Sequence, residues 1–139
     1  MKFGRRARRS RGFTLMEVLL VLVILVLLGG TASVFFINVQ KNAYIDTART
    51  QINSLKQALD LYRMDVGSYP TEQEGLEALR TPPASLSNPT RWRGPYMKDP
   101  IPNDPWDNPY VYRILDADTV QIISFGPDRM EGTADDISG

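Results

Sequence analysis

The chain contains no cysteine and no histidine. Without thiols it cannot close a disulfide, even in an oxidising compartment. Without either residue it lacks the usual zinc ligands, and without imidazole it lacks the side chain that titrates near neutrality. If a small domain here needs a staple, a hard cation held by oxygen atoms is the remaining common device. Charge of one sign is also missing. Residues 1–12 carry no acid, while they hold Lys2, Arg5, Arg6, Arg8, Arg9 and Arg11. After Glu17 no charged residue of either sign occurs until Lys41.

These gaps frame what is present. The formal net charge is zero, yet from Asp99 onward nine acids face only Arg113 and Arg129. A basic run could serve nucleic acid, but here an apolar segment follows within a few residues, so we read no nucleic-acid role. Residues 18–37 form a twenty-residue stretch without charge, about the length that crosses a hydrocarbon layer of roughly 30 Å. A basic leader before it directs the acidic C-terminal part out of the cytoplasm. The step Gly12-Phe13 precedes the apolar stretch, whereas an ordinary secretory signal is cut after it. Cleavage at Gly12-Phe13 would discard the leader and keep the helix; an uncleaved signal anchor is the alternative. Glu17 sits at the edge of the apolar stretch, where an acid facing lipid costs on the order of 3 kcal/mol, which makes it a functional candidate.

Beyond the apolar stretch, Ile45, Ala48, Ile52, Leu55, Leu59 and Tyr62 recur at helical spacing on one face. Arg49, Lys56, Asp60 and Arg63 lie off that stripe. One helix from Phe13 to about Asp65 would run roughly 80 Å at 1.5 Å per residue, ended by Gly67 and Pro70. Thr71 and Glu74 have capping-box spacing and predict a short helix. Residues 81–109 hold eight prolines interleaved with Trp92, Tyr96 and Trp106, a loop pinned by aromatics. Residues 110–115 and 119–125 predict two strands of a hairpin, with the helical stripe as their packing surface.

The segment Gly12-Phe13-Thr14-Leu15-Met16-Glu17-Val18 resembles the class III signal of type IV pilins and pseudopilins. That resemblance implies cleavage after Gly12 by a prepilin peptidase, N-methylation of Phe13, and a role for Glu17 in registering an incoming subunit through a neighbour's N-terminal amine. Val34 departs from the family pattern, where many members have proline, so a bend there is not implied. Tyr62–Thr71, Glu74–Leu79, Trp92-Arg93-Gly94-Pro95-Tyr96 and Asp104–Tyr110 narrow the resemblance to the major pseudopilin of type II secretion systems. In that comparison Asp107 stands where glycine is common.

From spacing alone, Asp128, Asp135 and Asp136 bracket a glycine-containing turn that is either a solvated acidic loop or an oxygen-rich cation site. Resemblance favours the second. It implies a structural calcium ion held by the side chains of Asp128, Asp135 and Asp136 and by the Phe125 backbone carbonyl. The expected architecture is therefore α+β and pilin-like: a long N-terminal helix, membrane-spanning in its first half, packed on a small antiparallel sheet with a C-terminal calcium-binding loop. The expected organisation is a leader over 1–12, a membrane and filament-core helix over 13–40, and a periplasmic head over 41–139. The resemblance implies a single-pass protein of the bacterial inner membrane. It assembles with copies of itself into a periplasmic filament that drives export of folded proteins, and works with an inner-membrane assembly platform and minor pseudopilins. A type IV pilin for adhesion, motility or DNA uptake is the runner-up, weakened by the missing cysteines. An enzyme is disfavoured, because Asp104 and Asp107 have no nucleophile–base arrangement around them.

Overall fold

The computed structural model describes residues 12–139, and within that range the side chains of all but residues 31–38. It divides into two compact units, one ending at Val39 and one spanning Gln40–Gly139. Helix α1 covers Leu15–Val66. Its backbone is helical at Gly29, Gly30 and Val34. Thr14 starts the helix: its hydroxyl accepts from the Glu17 N–H at 3.2 Å, and its carbonyl accepts from Glu17 and Val18, satisfying donors that a helix start leaves free. At the other end Gly67 adopts φ +100° and its N–H donates to the Arg63 carbonyl at 2.8 Å. This is the left-handed stop that only glycine takes without strain.

In the C-terminal unit the predicted stripe is the core face of α1. Ala48, Ile52, Leu55, Leu59 and Tyr62 are buried, joined by Ala58, and Ile45 packs at the edge. Against them lies a three-stranded antiparallel sheet: β1 (Val111–Asp116), β2 (Thr119–Ser124) and β3 (Ile137–Ser138), in the order β1-β2-β3. Pairing Tyr112 with Ile122 and Ile114 with Val120 places Tyr112, Val120 and Ile122 in the core, the alternation that a one-sided sheet requires. Each fully buried aliphatic contributes roughly 1.5–3 kcal/mol by leaving water.

Two expectations need correction. The sheet has a third strand: Gly139 exchanges backbone hydrogen bonds with Ile122 at 3.1 and 3.2 Å, and Gly139 lies against Ile52 of α1. Two paired residues give too short a period to read from sequence. The second correction concerns the short helix. The reciprocal Thr71–Glu74 capping pair is made, with Thr71 N–H to Glu74 Oε2 at 2.7 Å and Glu74 N–H to Thr71 Oγ1 at 3.3 Å. The helix beyond that pair is a 3-10 segment, Gly75–Leu79, whose Leu76, Ala78 and Leu79 enter the core.

The proline-rich loop is pinned by its aromatics as expected. Trp92 donates its indole N–H to the Ala78 carbonyl at 3.1 Å, and the Tyr96 hydroxyl reaches Asp65 at 3.0 Å. Tyr96 meets Tyr62 and Trp92 edge to face, with centroids 5.6 and 5.7 Å apart. Burial, helped by nearby Glu74 and Tyr96, pushes the Tyr62 phenol up to about 12. Asp107 takes φ +66°. Aspartate tolerates that left-handed conformation better than most residues.

Candidate functional site

Two regions carry the residues singled out in the sequence. They lie in different units, and each has its own chemistry. In the N-terminal unit, Phe13 and Glu17 fall one helical turn apart and line a small apolar hollow with Val18, Val21 and Leu22. Glu17 is the acid of the first turn, where a helix favours negative charge by about 0.3–1 kcal/mol. Around it every large apolar side chain from Phe13 to Leu28 is exposed, from 46% at Ile24 to 82% at Phe13. A helix surface that is apolar on all sides is stable only when something non-aqueous covers it. Among the described residues no helix is long and apolar enough to cross a membrane. The expected span of residues 18–37 extends into 31–38, whose side chains lie outside the described set. Residues 1–11 of the expected leader lie outside it too; Gly12 is within it.

In the C-terminal unit the acidic loop runs over residues 125–136, between β2 and β3. Strand β3 therefore anchors the far end of the loop to the sheet edge that its near end leaves. The loop turns tightly at once: Phe125 precedes a 3-10 turn, Gly126–Asp128, and Arg129 continues it at φ +59°. Gly126 has φ +67°, and a Cβ there would stand 2.5 Å from the Asp135 carbonyl oxygen. The two ends of the loop thus touch backbone to backbone.

The three carboxylates behave differently. Asp128 is exposed, and its Oδ1 accepts from the Met130 N–H at 3.1 Å. Asp135 has Lys41 Nζ 3.7 Å from its Oδ1. Asp136 accepts from the Gly132 N–H through Oδ2 at 2.7 Å, while its Oδ1 is buried with no hydrogen-bond partner. Among the described residues, no group of three or more acids is gathered closely enough to hold a metal ion. The structure therefore brings the Asp135 backbone against Gly126, while Asp128, a member of the turn itself, is exposed.

Sequence reasoning missed the polar cluster beneath this loop. Asp104 is 4% exposed and Ser124 fully buried. Asp104 Oδ1 accepts from the N–H groups of Trp106 and Asn108 at 3.0 and 2.8 Å, and Oδ2 accepts from the Ser124 hydroxyl at 2.5 Å. Ser124 Oγ in turn accepts from the Gly126 N–H at 3.2 Å, and the Asn108 amide donates to the Gly126 carbonyl at 3.3 Å. The Asp104-Pro105 step signals a local turn, but Ser124 is twenty residues away and reads as an ordinary strand residue.

Comparison with known proteins bears on both regions. Residues 36–138 match the family described as type II secretion system, protein G, and residues 7–33 match the prokaryotic N-terminal methylation motif. The type II secretion system core protein G of Aeromonas hydrophila is 39% identical over 132 residues, spanning 94% of this chain and 92% of that protein. Its counterpart in Pectobacterium carotovorum is 36% identical over 138 residues, 97% of this chain and 87% of that one. The fold is similar to the crystal structure of the major pseudopilin from the type 2 secretion system of enterohaemorrhagic Escherichia coli. The two are 30% identical with a TM-score of 0.63, over 74% of this chain and 91% of that one.

Proposed function

The chain belongs to the protein G family of type II secretion systems, and on that premise we propose that it is the major structural subunit of a secretion pseudopilus. The observation that carries this reading is the pairing of a methylation motif over residues 7–33 with a helix whose apolar surface is exposed on every side. Burying such a side chain contributes roughly 1.5–3 kcal/mol, so lipid before assembly and neighbouring helices after it are the natural covers. A prepilin peptidase cuts between Gly12 and Phe13, and Phe13 becomes the N-methylated first residue. The mature subunit crosses the inner membrane once, with its C-terminal domain in the periplasm. An assembly platform, together with minor pseudopilins, extracts it into a periplasmic filament of like subunits that drives folded proteins across the outer membrane. Glu17, one turn from the new N-terminus, pairs with the terminal amine of a neighbour. A buried carboxylate is tolerable on such terms.

Calcium belongs to the same reading. The donors on offer are all oxygen, which is what this cation takes, and Asp136 Oδ1 is a buried acceptor with no partner. The oxygen donors suit the ion in chemistry, but among the described residues no group of three or more acids is gathered closely enough to hold it. Asp128, Asp135, Asp136 and the Phe125 carbonyl would hold it, and the ion would supply a charge clamp in place of a disulfide. Mass spectrometry of the chain from cells with and without the prepilin peptidase tests the proposal. A mature mass beginning at methylated Phe13, lost without the peptidase, supports it; an N-terminus that still carries the basic leader in both strains overturns it.

A further inference from the structure

Two aromatic rings sit where the chain enters its C-terminal unit, which begins at Gln40. Tyr44 of α1 and Trp106 of the proline-rich loop meet there edge to face, with centroids 5.9 Å apart. We infer that this pair is an interfacial anchor: it seats the Gln40 end of the head in the headgroup layer of the bilayer before the subunit enters a filament. The inference rests on the membrane reading of residues 18–37.

Depth follows from the helix rise. At 1.5 Å per residue, the twenty uncharged residues 18–37 fill a hydrocarbon layer of roughly 30 Å. The headgroup layer beyond it is about 5–8 Å deep on each side. Gln40 and Lys41 fall about 4–6 Å past residue 37, within that layer. The Tyr44 backbone lies one turn further out, yet helical side chains lean toward the N-terminus. Tyr44 does so: its hydroxyl accepts from Gln40 Nε2 at 3.1 Å. The ring therefore returns to headgroup depth, and Trp106 rests against it. Val39, just before Gln40, is 57% exposed, so the apolar surface of α1 runs up to this edge. The two tryptophans differ in their indole N–H groups. That of Trp92 is spent on the Ala78 carbonyl at 3.1 Å, whereas that of Trp106 has no acceptor among the described residues. Trp106 is half-buried against the core, with its polar edge unsatisfied. That state suits tryptophan to a membrane–water interface, where lipid oxygens accept. Lys41, the first charge after Glu17, lies 3.7 Å from Asp135 Oδ1, so that carboxylate is matched rather than turned bare toward lipid phosphates.

The test is nitroxide quenching of tryptophan fluorescence, with the full processed chain reconstituted in phosphatidylcholine vesicles. Trp92→Phe leaves Trp106 as the sole tryptophan. One lipid probe carries its nitroxide on the choline headgroup, the other midway along an acyl chain. We expect Trp106 to lose more emission to the headgroup probe than to the mid-chain probe. Stronger quenching by the mid-chain probe would place the ring in hydrocarbon and overturn the interfacial assignment. If the chain stays with the vesicles through an alkaline wash but neither probe quenches Trp106, the membrane reading stands and the inference falls. A second copy covering the ring would give that result. A chain released by the wash overturns the inference together with the membrane reading. Should Trp92→Phe fail to fold, the difference in quenching between the wild type and Trp106→Phe isolates the same signal.

Discussion

Replacing Gly126 by alanine should damage the head domain through two separable effects. The first is backbone strain: at φ +67° a residue with a Cβ costs roughly 1–2 kcal/mol. The second is collision, because the new methyl would stand 2.5 Å from the Asp135 carbonyl oxygen, itself backbone and unable to swing aside. Forcing extra atoms into a packed site costs about 1–3 kcal/mol. Gly132 supplies the control. It has φ +83° but nothing within 4 Å of where its Cβ would go, so Gly132→Ala carries only the first effect. Both substitutions restrict the unfolded chain's freedom alike, and that term cancels in the comparison. We predict a loss of about 2–5 kcal/mol for Gly126→Ala and about 1–2 kcal/mol for Gly132→Ala. Denaturant unfolding of the full chain in micelles, followed by tryptophan fluorescence, measures both. Equal losses at the two positions would refute the close approach of the loop ends.

Two further predictions concern ions and protons. Millimolar calcium should raise the melting temperature, by the equivalent of about 2.7 kcal/mol at a hundredfold excess over Kd. Asp128→Ala should abolish the rise, and melting curves that coincide in calcium and chelator would end the clamp idea. At high pH the buried phenols of Tyr62, Tyr110 and Tyr112 matter. Burial raises all three, Tyr62 to about 12, while an unfolded tyrosine ionises near about 10. The folded state then keeps its protons where the unfolded state loses them. The stability these groups contribute is intact below the unfolded value and is lost as pH rises toward the folded one. Melting temperature should therefore fall between about pH 10 and about pH 12, less steeply in Tyr62→Phe; a flat profile in the wild type would contradict the burial argument.

What could be read from the sequence is what repeats or punctuates. The stripe from Ala48 to Tyr62 has a period, and every member of it is buried. Gly67 and the Thr71–Glu74 pair act through neighbours three or four residues away, and both do what their chemistry suggests. The hairpin was legible from two apolar runs around a short turn. Features built from distant partners were not. Strand β3 is two residues long and exists because Gly139 reaches Ile122. The Asp104 cluster joins a turn after Asn103 to the end of β2 through one serine hydroxyl. The acidic loop stands between these cases: its carboxylates are obvious, but no periodicity states which oxygens face inward, and Asp128 points outward while Asp136 Oδ1 is buried.

The membership of the protein G family rests on matches over most of the chain; how the subunit assembles is the open claim, and it turns on Glu17. The direct measurement is the distribution of the host's secreted enzymes between medium and periplasm. It compares the gene deletion with the deletion complemented by wild type or by Glu17→Ala. The account predicts enzymes trapped in the periplasm in the deletion and in the Glu17→Ala strain, with release restored by the wild type. Normal secretion in the deletion, with surface pili or twitching lost instead, would contradict it.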